Sequence, residues 1–445
     1  MDIQAALTLL ENLMVEQERE DLNSLQREII CKCWSGQTYD DMEIQGYASG
    51  YVKKYAAPNL WKLLSEVTGE AVSKKNLKIV LIELQKRRSS CPEETPEGKE
   101  VPKLMNNTHF CWADAPDVLV FFGREKELAT LEQMIKQGYR LVTLLGMRGI
   151  GKTALAVHLC TRFFGEFEYV IWRSLDRQLP PPLTELLDDL LQVLSDKLQI
   201  DNSINIGDRL TLLIKYLSQH RCLLILDAYE NLFSSGKLAG HYLKDYENYG
   251  ELLRRVGAAK HNSCLVLTSW EKPREVVFLE RDTQGIVSVK LEALETAAAK
   301  EIFKQHNLAD EDKWEELIDR YEGNPLALKI VAAMLQKDYA GSVSNFLEEF
   351  TLFLGDIQYL LYQQFNRLSE VEQKIMYCLA ISQTPVTRHQ IRDTIQPQVL
   401  SSEMLDALES LRRRSLLETV KAESKALFTL QPVVRKYLNL QFRGR

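Results

Sequence analysis

The sequence predicts an α/β protein: a parallel sheet with helices on both faces, set between an all-helical N-terminal region and a helical C-terminal region that closes in a winged helix. Three observations carry this reading. First, apolar runs of strand length at 141–145, 169–172, 222–226, 264–267 and 286–289 alternate with helix-length segments such as 183–198, 210–217 and 249–256. Alternation of this kind buries parallel strands between two layers of helices. Second, helical spacing governs both ends. Leu7, Leu10, Leu13 and Met14 form one apolar stripe and Leu22, Leu25, Ile29, Ile30 and Cys33 another, and 294–336 and the stretch from 357 onward read the same way. Third, two strand-like runs at 415–420 and 426–430, separated by a polar turn, form the hairpin of a winged helix.

With 445 residues the chain exceeds what one core serves, so several domains are expected. Between 89 and 117 the periodicity fails, and Pro92, Pro96, Pro102 and Pro116 stand among polar residues, which marks a linker. The organisation is therefore 1–88 helical, 89–117 linker, 118–293 α/β core, 294–355 helical and 356–445 winged helix. Within the first domain, Thr38 to Ile44, Gly46 to Ser49 and Val52 to Tyr55 supply a polar cap, a short helix, a glycine turn and a Ser-capped second helix. These are the parts of a helix-turn-helix. Pro58 is expected to end that second helix after about two turns.

Hydrophobic residues make up 45% and charged residues 26%, and no apolar run approaches the ~20 residues of a membrane span. The N-terminus lacks the basic region and unbroken apolar core of a signal peptide, so a cytoplasmic protein with no membrane partner is expected. The eight cysteines are scattered, and Cys31 and Cys33, the one close pair, have no second pair at zinc-ligand spacing. A net charge of −7 argues against a protein that coats nucleic acid, although Ser49 to Arg88 holds nine Lys or Arg against three Glu. Over 1–88 that run is balanced by 12 basic and 13 acidic residues.

The chemistry is carried by Gly146-Met147-Arg148-Gly149-Ile150-Gly151-Lys152-Thr153, a G-x-x-x-x-G-K-T run between an apolar strand and the helical stretch from Ala154. In such a loop the glycines turn backbone N–H groups inward around phosphates, the following helix points its N-terminus at them, and the lysine reaches the β- and γ-phosphates. Thr153 is placed to hold Mg²⁺. A second acid completes the metal shell, and Asp227, ending the apolar run at 222–226, lies where a parallel sheet presents its ligand edge. Glu230, three residues on, is the candidate to orient an attacking water.

These residues resemble the STAND class of P-loop NTPases, and within it the NB-ARC type. Phe121-Phe122-Gly123-Arg124 is similar to that family's segment ahead of the P-loop, which implies adenine contacts from Phe122, Gly123 and Arg124. Leu265-Val266-Leu267-Thr268-Ser269 is similar to its sensor strand. Gly323-Asn324-Pro325-Leu326 matches its Gly-x-Pro motif, which implies that Pro325 and Leu326 pack on base and ribose. The N-terminal region is similar to helix-turn-helix domains that precede NB-ARC modules in cyanobacterial proteins. The resemblance implies ATP or ADP as ligand, with Mg²⁺, and contacts from Gly146 and from Arg148 to Ala154.

Three positions depart from the family. Trp270 stands where an arginine reads the γ-phosphate, which leaves Arg274 or Arg148 to substitute, or the γ-phosphate weakly sensed. Gln431, in Leu430-Gln431-Pro432-Val433, replaces the winged-helix histidine that binds the β-phosphate and offers an uncharged hydrogen bond. Ala228 replaces a second acid, so slow hydrolysis or stable retention is expected. Relatives continue past the winged helix into a ligand-sensing repeat array. The sequence ends at Phe442-Arg443-Gly444-Arg445 and leaves open whether the sensor is another protein, whether the module is a core truncated from a longer chain, or whether control comes from nucleotide alone.

Two functional classes follow. One is a nucleotide-regulated signalling switch, at most a slow ATPase, that oligomerises with ATP and presents its N-terminal domain to a protein partner. The other is a DNA-binding transcription regulator with the nucleotide as structural cofactor.

Overall fold

The computed structural model describes residues 121–163, 165–195, 204–349, 352–382, 384–395, 399–422 and 425–443, and ahead of them 6–7, 9–10, 13–14, 22, 24–34, 36–37, 53, 56–68, 70, 72–89, 109–111, 114–116 and 118. The chain forms two compact units, Met1–Lys103 and Leu104–Arg445.

In the first unit α1 (Ser24–Trp34), α2 (Ala57–Thr68) and α3 (Leu77–Ser89) close over Leu10, Ile29, Ile30, Leu60, Leu64 and Leu81. The expected turn at 38–52 lies outside the described residues. The helix that Pro58 is expected to end lies, apart from Lys53, outside the described residues; Pro58 itself stands in the first turn of α2, a position that tolerates its missing N–H.

The second unit is built on six parallel strands, β1 (His109–Cys111), β2 (Leu141–Leu145), β3 (Tyr169–Ser174), β4 (Cys222–Asp227), β5 (Cys264–Ser269) and β6 (Ile286–Lys290), in the order β1-β3-β4-β5-β2-β6. All five expected strands are present. The sixth, β1, falls inside the stretch read as linker: its three residues pair with Tyr169–Ile171 across the sheet edge, a long-range pairing that leaves no periodic trace.

Alternate residues of the central strands serve opposite faces. Leu224, Leu226, Leu265 and Leu267 pack under α6 (Leu183–Leu194), α7 (Ile206–Gln219) and α8 (Asn248–Ala258). Leu223, Ile225 and Val266 pack under α4 (Glu125–Lys136) and α5 (Lys152–Arg162). That two-sided burial explains why the strands read as unbroken apolar runs. The helix α9 (Arg274–Asp282) leads into β6.

Beyond the sheet come α10 (Thr296–Gln305), α11 (Trp314–Arg320), α12 (Pro325–Asp338) and α13 (Val343–Leu347). Asn324 caps α12 by accepting from the amides of Leu326 and Ala327, with Pro325 pre-set for the first turn. The winged helix then runs α14 (Ile357–Phe365), α15 (Glu370–Ile381), β7 (Val386–Thr387), α16 (Arg388–Thr394), α17 (Ser401–Arg413), β8 (Glu418–Ala422), β9 (Lys425–Thr429) and α18 (Pro432–Arg443). Its three strands form an antiparallel sheet ordered β7-β9-β8. Capping boxes at Ser369/Glu372 and Thr387/Gln390 open α15 and α16. One hydrophobic core joins the helical segment to the winged helix, and Met147 of the glycine-rich loop belongs to it.

Candidate nucleotide-binding site

The buried strand β2 delivers the chain to the loop 146–153, and Gly151, with φ +100°, opens α5. A side chain at that φ costs about 1–2 kcal/mol, so glycine lets the loop turn its amides inward without strain. Lys152 is buried. Its ammonium donates to the carbonyls of Gly146 at 2.8 Å and Met147 at 3.0 Å, which spans the loop from within. Burial brings its pKa down to about 8, against the opposing pull of Glu230 and Asp227.

Asp227 ends β4. Its Oδ1 accepts from Thr153 Oγ1 at 2.8 Å and from Thr268 Oγ1 at 2.5 Å, and Thr268 Oγ1 in turn accepts from the amide of Ala228 at 2.9 Å. Three elements, α5, β4 and β5, are thereby tied together at the carboxyl edge of the sheet. Burial raises the pKa of Asp227, and the Thr268 and Thr153 hydrogen bonds hold it down. Ala228 adopts φ +60°, and this left-handed step starts the 3₁₀ turn Tyr229–Leu232 that carries Glu230 inward. Glu230 is buried, and its Oε2 has no hydrogen-bond partner among the described residues. Burial raises its pKa, opposed chiefly by Lys152.

These groups line a cavity of about 580 Å³, within the range of small-molecule sites. Arg148 to Ala154, Asp227 and Glu230 form one end, and Phe122, Pro325 and Leu326 with Phe121, Leu294 and Ile302 form an apolar end. Phe121 stacks on His158 with centroids 4.0 Å apart, which fixes that wall. Arg124 lines the cavity, but its guanidinium is engaged with the carbonyls of Ile150 and Glu292 and with Glu127, bracing the loop from behind. The loop cradle and the ammonium resting on carbonyls fit a polyphosphate, while the unpaired Glu230 oxygen can accept only from a donor such as water. Thr153 and Asp227 fit a cation that keeps most of its ligands from phosphate and water. Among the described residues no cluster of three or more His, Cys, Asp or Glu forms a metal cage.

Not every expected residue reaches the cavity. Gly146 lies behind it, its carbonyl holding Lys152. Gly123, at φ +62°, lies against Ala298, where a Cβ would meet that methyl at 2.0 Å. Gln431 is turned away: it donates to Glu418 and borders a separate small cavity beside Met147 and Arg148. Arg274 is directed at His241. Lys329 and Leu360, which no motif marks, do line the main cavity.

Trp270 has a structural role. It is buried under two guanidinium groups of the winged helix, Arg367 at 5.3 Å and Arg414 at 6.0 Å from its ring centre. Arg367 also donates to the carbonyls of Glu230 and Phe233, both at 2.7 Å. Arg414, fully buried, pairs with the equally buried Glu372 at 3.3 Å and Glu271 at 3.7 Å and donates to the carbonyls of Arg367 and Lys237. Sequence reasoning missed this junction, because only docking of the winged helix assembles it.

Residues 124–231 match the model of the NB-ARC domain, and residues 1–84 that of the vWA-MoxR associated protein N-terminal HTH. An uncharacterized WD repeat-containing protein of Nostoc sp. is 40% identical over 348 residues, which is 75% of this chain and 27% of that protein. The chain thus spans about a quarter of that relative's length. Among solved structures, a STAND protein with a tetratricopeptide repeat sensor from Pyrococcus horikoshii aligns over 74% of this chain and 43% of its own (19% identity, TM-score 0.39). A Walker-type ATPase of Pyrococcus abyssi aligns over 72% of this chain and 96% of its own (18% identity, TM-score 0.48). Likenesses that distant carry nothing about function. No described helix is long and apolar enough to cross a membrane. With its loop, acids and sheet in this arrangement, the chain carries an NB-ARC domain at residues 124–231 and, at residues 1–84, a helix-turn-helix domain of the vWA-MoxR associated kind.

Proposed function

We propose that the protein is a nucleotide-dependent switch that holds ADP or ATP with Mg²⁺ between its P-loop core and its C-terminal domains. One observation carries this reading: the cavity is walled by Arg148 to Ala154 of the loop and its helix, by Pro325 and Leu326 at the start of α12, and by Leu360 of α14. A ligand bound there touches three segments at once, so its phosphate number sets which arrangement of them is favoured.

In this reading Lys152 and the amides of Gly149 to Thr153 bind the phosphates. Thr153 and Asp227 would hold Mg²⁺, which would neutralise charge on the phosphate oxygens. Phe122, Pro325 and Leu326 enclose the base and ribose, and Glu230 holds a water. The buried Trp270, where relatives carry a phosphate-reading arginine, supports slow turnover, below ~1 s⁻¹. The ATP-bound form oligomerises and presents the N-terminal domain to a protein partner in the cytoplasm.

A second reading, a DNA-binding regulator, draws support from the helix-turn-helix match at residues 1–84 and from the basic run after Ser49. Mass spectrometry of the purified protein, with its native mass before and after exchange into a non-hydrolysable ATP analogue, tests the first reading. ADP in a monomer that assembles on exchange is the expected outcome. Protein free of nucleotide, with a mass indifferent to it, overturns the switch, and a salt-sensitive complex with duplex DNA would then favour the second reading.

A further inference from the structure

We propose that Arg148 is the γ-phosphate reader, and that it passes the nucleotide state to the winged helix by exchanging a contact with Gln363 for one with the phosphate. This rests on the nucleotide reading above and names the regulation of the same site.

Apart from Lys329, which lines the cavity one turn along α12 from Pro325, the other basic groups around the site are engaged elsewhere. Lys152 spans the loop, and Arg124 is held by two carbonyls and Glu127. Arg274 faces His241, and Arg367 is fixed over Trp270 and on the carbonyls of Glu230 and Phe233. Arg148 differs. Its backbone is anchored, its carbonyl accepting from Asn324 Nδ2 at 3.4 Å while the next carbonyl, of Gly149, accepts from the amide of Leu326 at 3.3 Å. Its half-buried guanidinium lines the main cavity and donates to Gln363 Oε1 on α14 at 2.5 Å.

That partner is a neutral amide oxygen. A terminal phosphate carries more charge and matches the planar fork of a guanidinium, so it outcompetes the amide once it is within reach. The turn of α14 that would be released is already poorly satisfied. Gln364, beside Gln363, is 1% exposed, and neither its Oε1 nor its Nε2 has a partner among the described residues. The small cavity it borders also touches Arg148 and Met147. Letting go of Gln363 therefore breaks the weakest part of the contact between the loop and the winged helix. With a diphosphate, Arg148 keeps α14 on the loop; with a triphosphate it does not.

The test is calorimetry of the full chain with ADP and with a non-hydrolysable ATP analogue, for the wild type, Arg148→Gln, Arg148→Lys, Gln363→Ala, the double variant and Lys152→Ala. Arg148→Gln is expected to weaken the triphosphate about tenfold and ADP less than about twofold. Arg148→Lys, which keeps charge without the fork, falls between. Gln363→Ala is expected to tighten the triphosphate severalfold, and the double variant to behave as Arg148→Gln alone. Equal effects of Arg148→Gln on both nucleotides, or a Gln363→Ala effect that persists without Arg148, would overturn the proposal. Unchanged binding in Lys152→Ala would instead sink the nucleotide site itself, so the two failures are distinguishable.

Discussion

The phosphate cradle and the junction beneath Trp270 are both buried, polar and centred on a basic side chain, yet they are made in opposite ways. The cradle is one continuous stretch, 146–153, whose conformation follows from its glycines and from the strand and helix on either side. The junction gathers Glu271 from the loop after β5, Glu372 from α15, and Ser410 and Arg414 from the end of α17. The cradle faces a cavity, with Glu230 Oε2 unpartnered among the described residues and the Lys152 ammonium resting on two carbonyls. The junction turns its groups on one another: Ser410 Oγ donates to Glu372 at 2.6 Å and accepts from the amide of Ala239, and the amide of Gly240 donates to Glu271 at 2.6 Å. It too leaves hydrogen bonds unmade, since Glu271 Oε2 and the Nε atoms of Arg367 and Arg414 rest on ion-pair and cation–π contacts alone. The cradle thus directs its polar groups toward open space, whereas the joint directs them inward.

That contrast can be broken at several points. The largest effect is expected from Lys152→Ala, which removes the counter-ion of the cradle while leaving the junction intact. Affinity for adenine nucleotides should fall a hundredfold or more in calorimetry, with little change in unfolding by urea. Arg414→Met should act in the reverse sense. It strands two buried carboxylates, so urea denaturation should show a loss of about 3–5 kcal/mol, most of it recovered when Glu271→Gln and Glu372→Gln are added. A loss no larger than that of an exposed ion pair, about 0–1 kcal/mol, would mean that the junction is open to water and the comparison wrong.

The smallest effect concerns Glu322, which lies near Glu418. Burial, reinforced by Glu418, raises its pKa from 4.5 to about 7. Between those values the folded protein holds a proton that the unfolded chain has released, so this group's contribution to stability is present below about pH 4.5 and lost as pH rises to about 7. Glu322→Gln should flatten the decline in unfolding free energy over that window, by about 1 kcal/mol once solvent access is allowed for, as urea denaturation at several pH values would show. A wild-type profile already flat there would exclude a raised Glu322.

How legible each region was follows from the same contrast. The five strands and the cradle could be read because each is encoded by neighbours: a run of apolar residues, a fixed spacing of glycines, an aspartate at a strand end. Asp227 and Glu230 both arrived at the cavity for that reason. Strand β1 could not be read, since three residues at a sheet edge carry no period. Gln431 was placed by analogy with a histidine, but its own amide finds Glu418 closer. Trp270 was legible as a departure, and its reason was not, because Arg367 and Arg414 approach it only after the winged helix has docked.

Met147 carries a last consequence. The residue is 8% exposed and belongs to the apolar core shared by the helical segment and the winged helix, although its backbone is part of the glycine-rich loop. If the proposed switch parts those segments, this sulfur would come into water. A mild peroxide would then oxidise it in proportion to the time the molecule spends ajar, which would make Met147 a chemical clock for that motion.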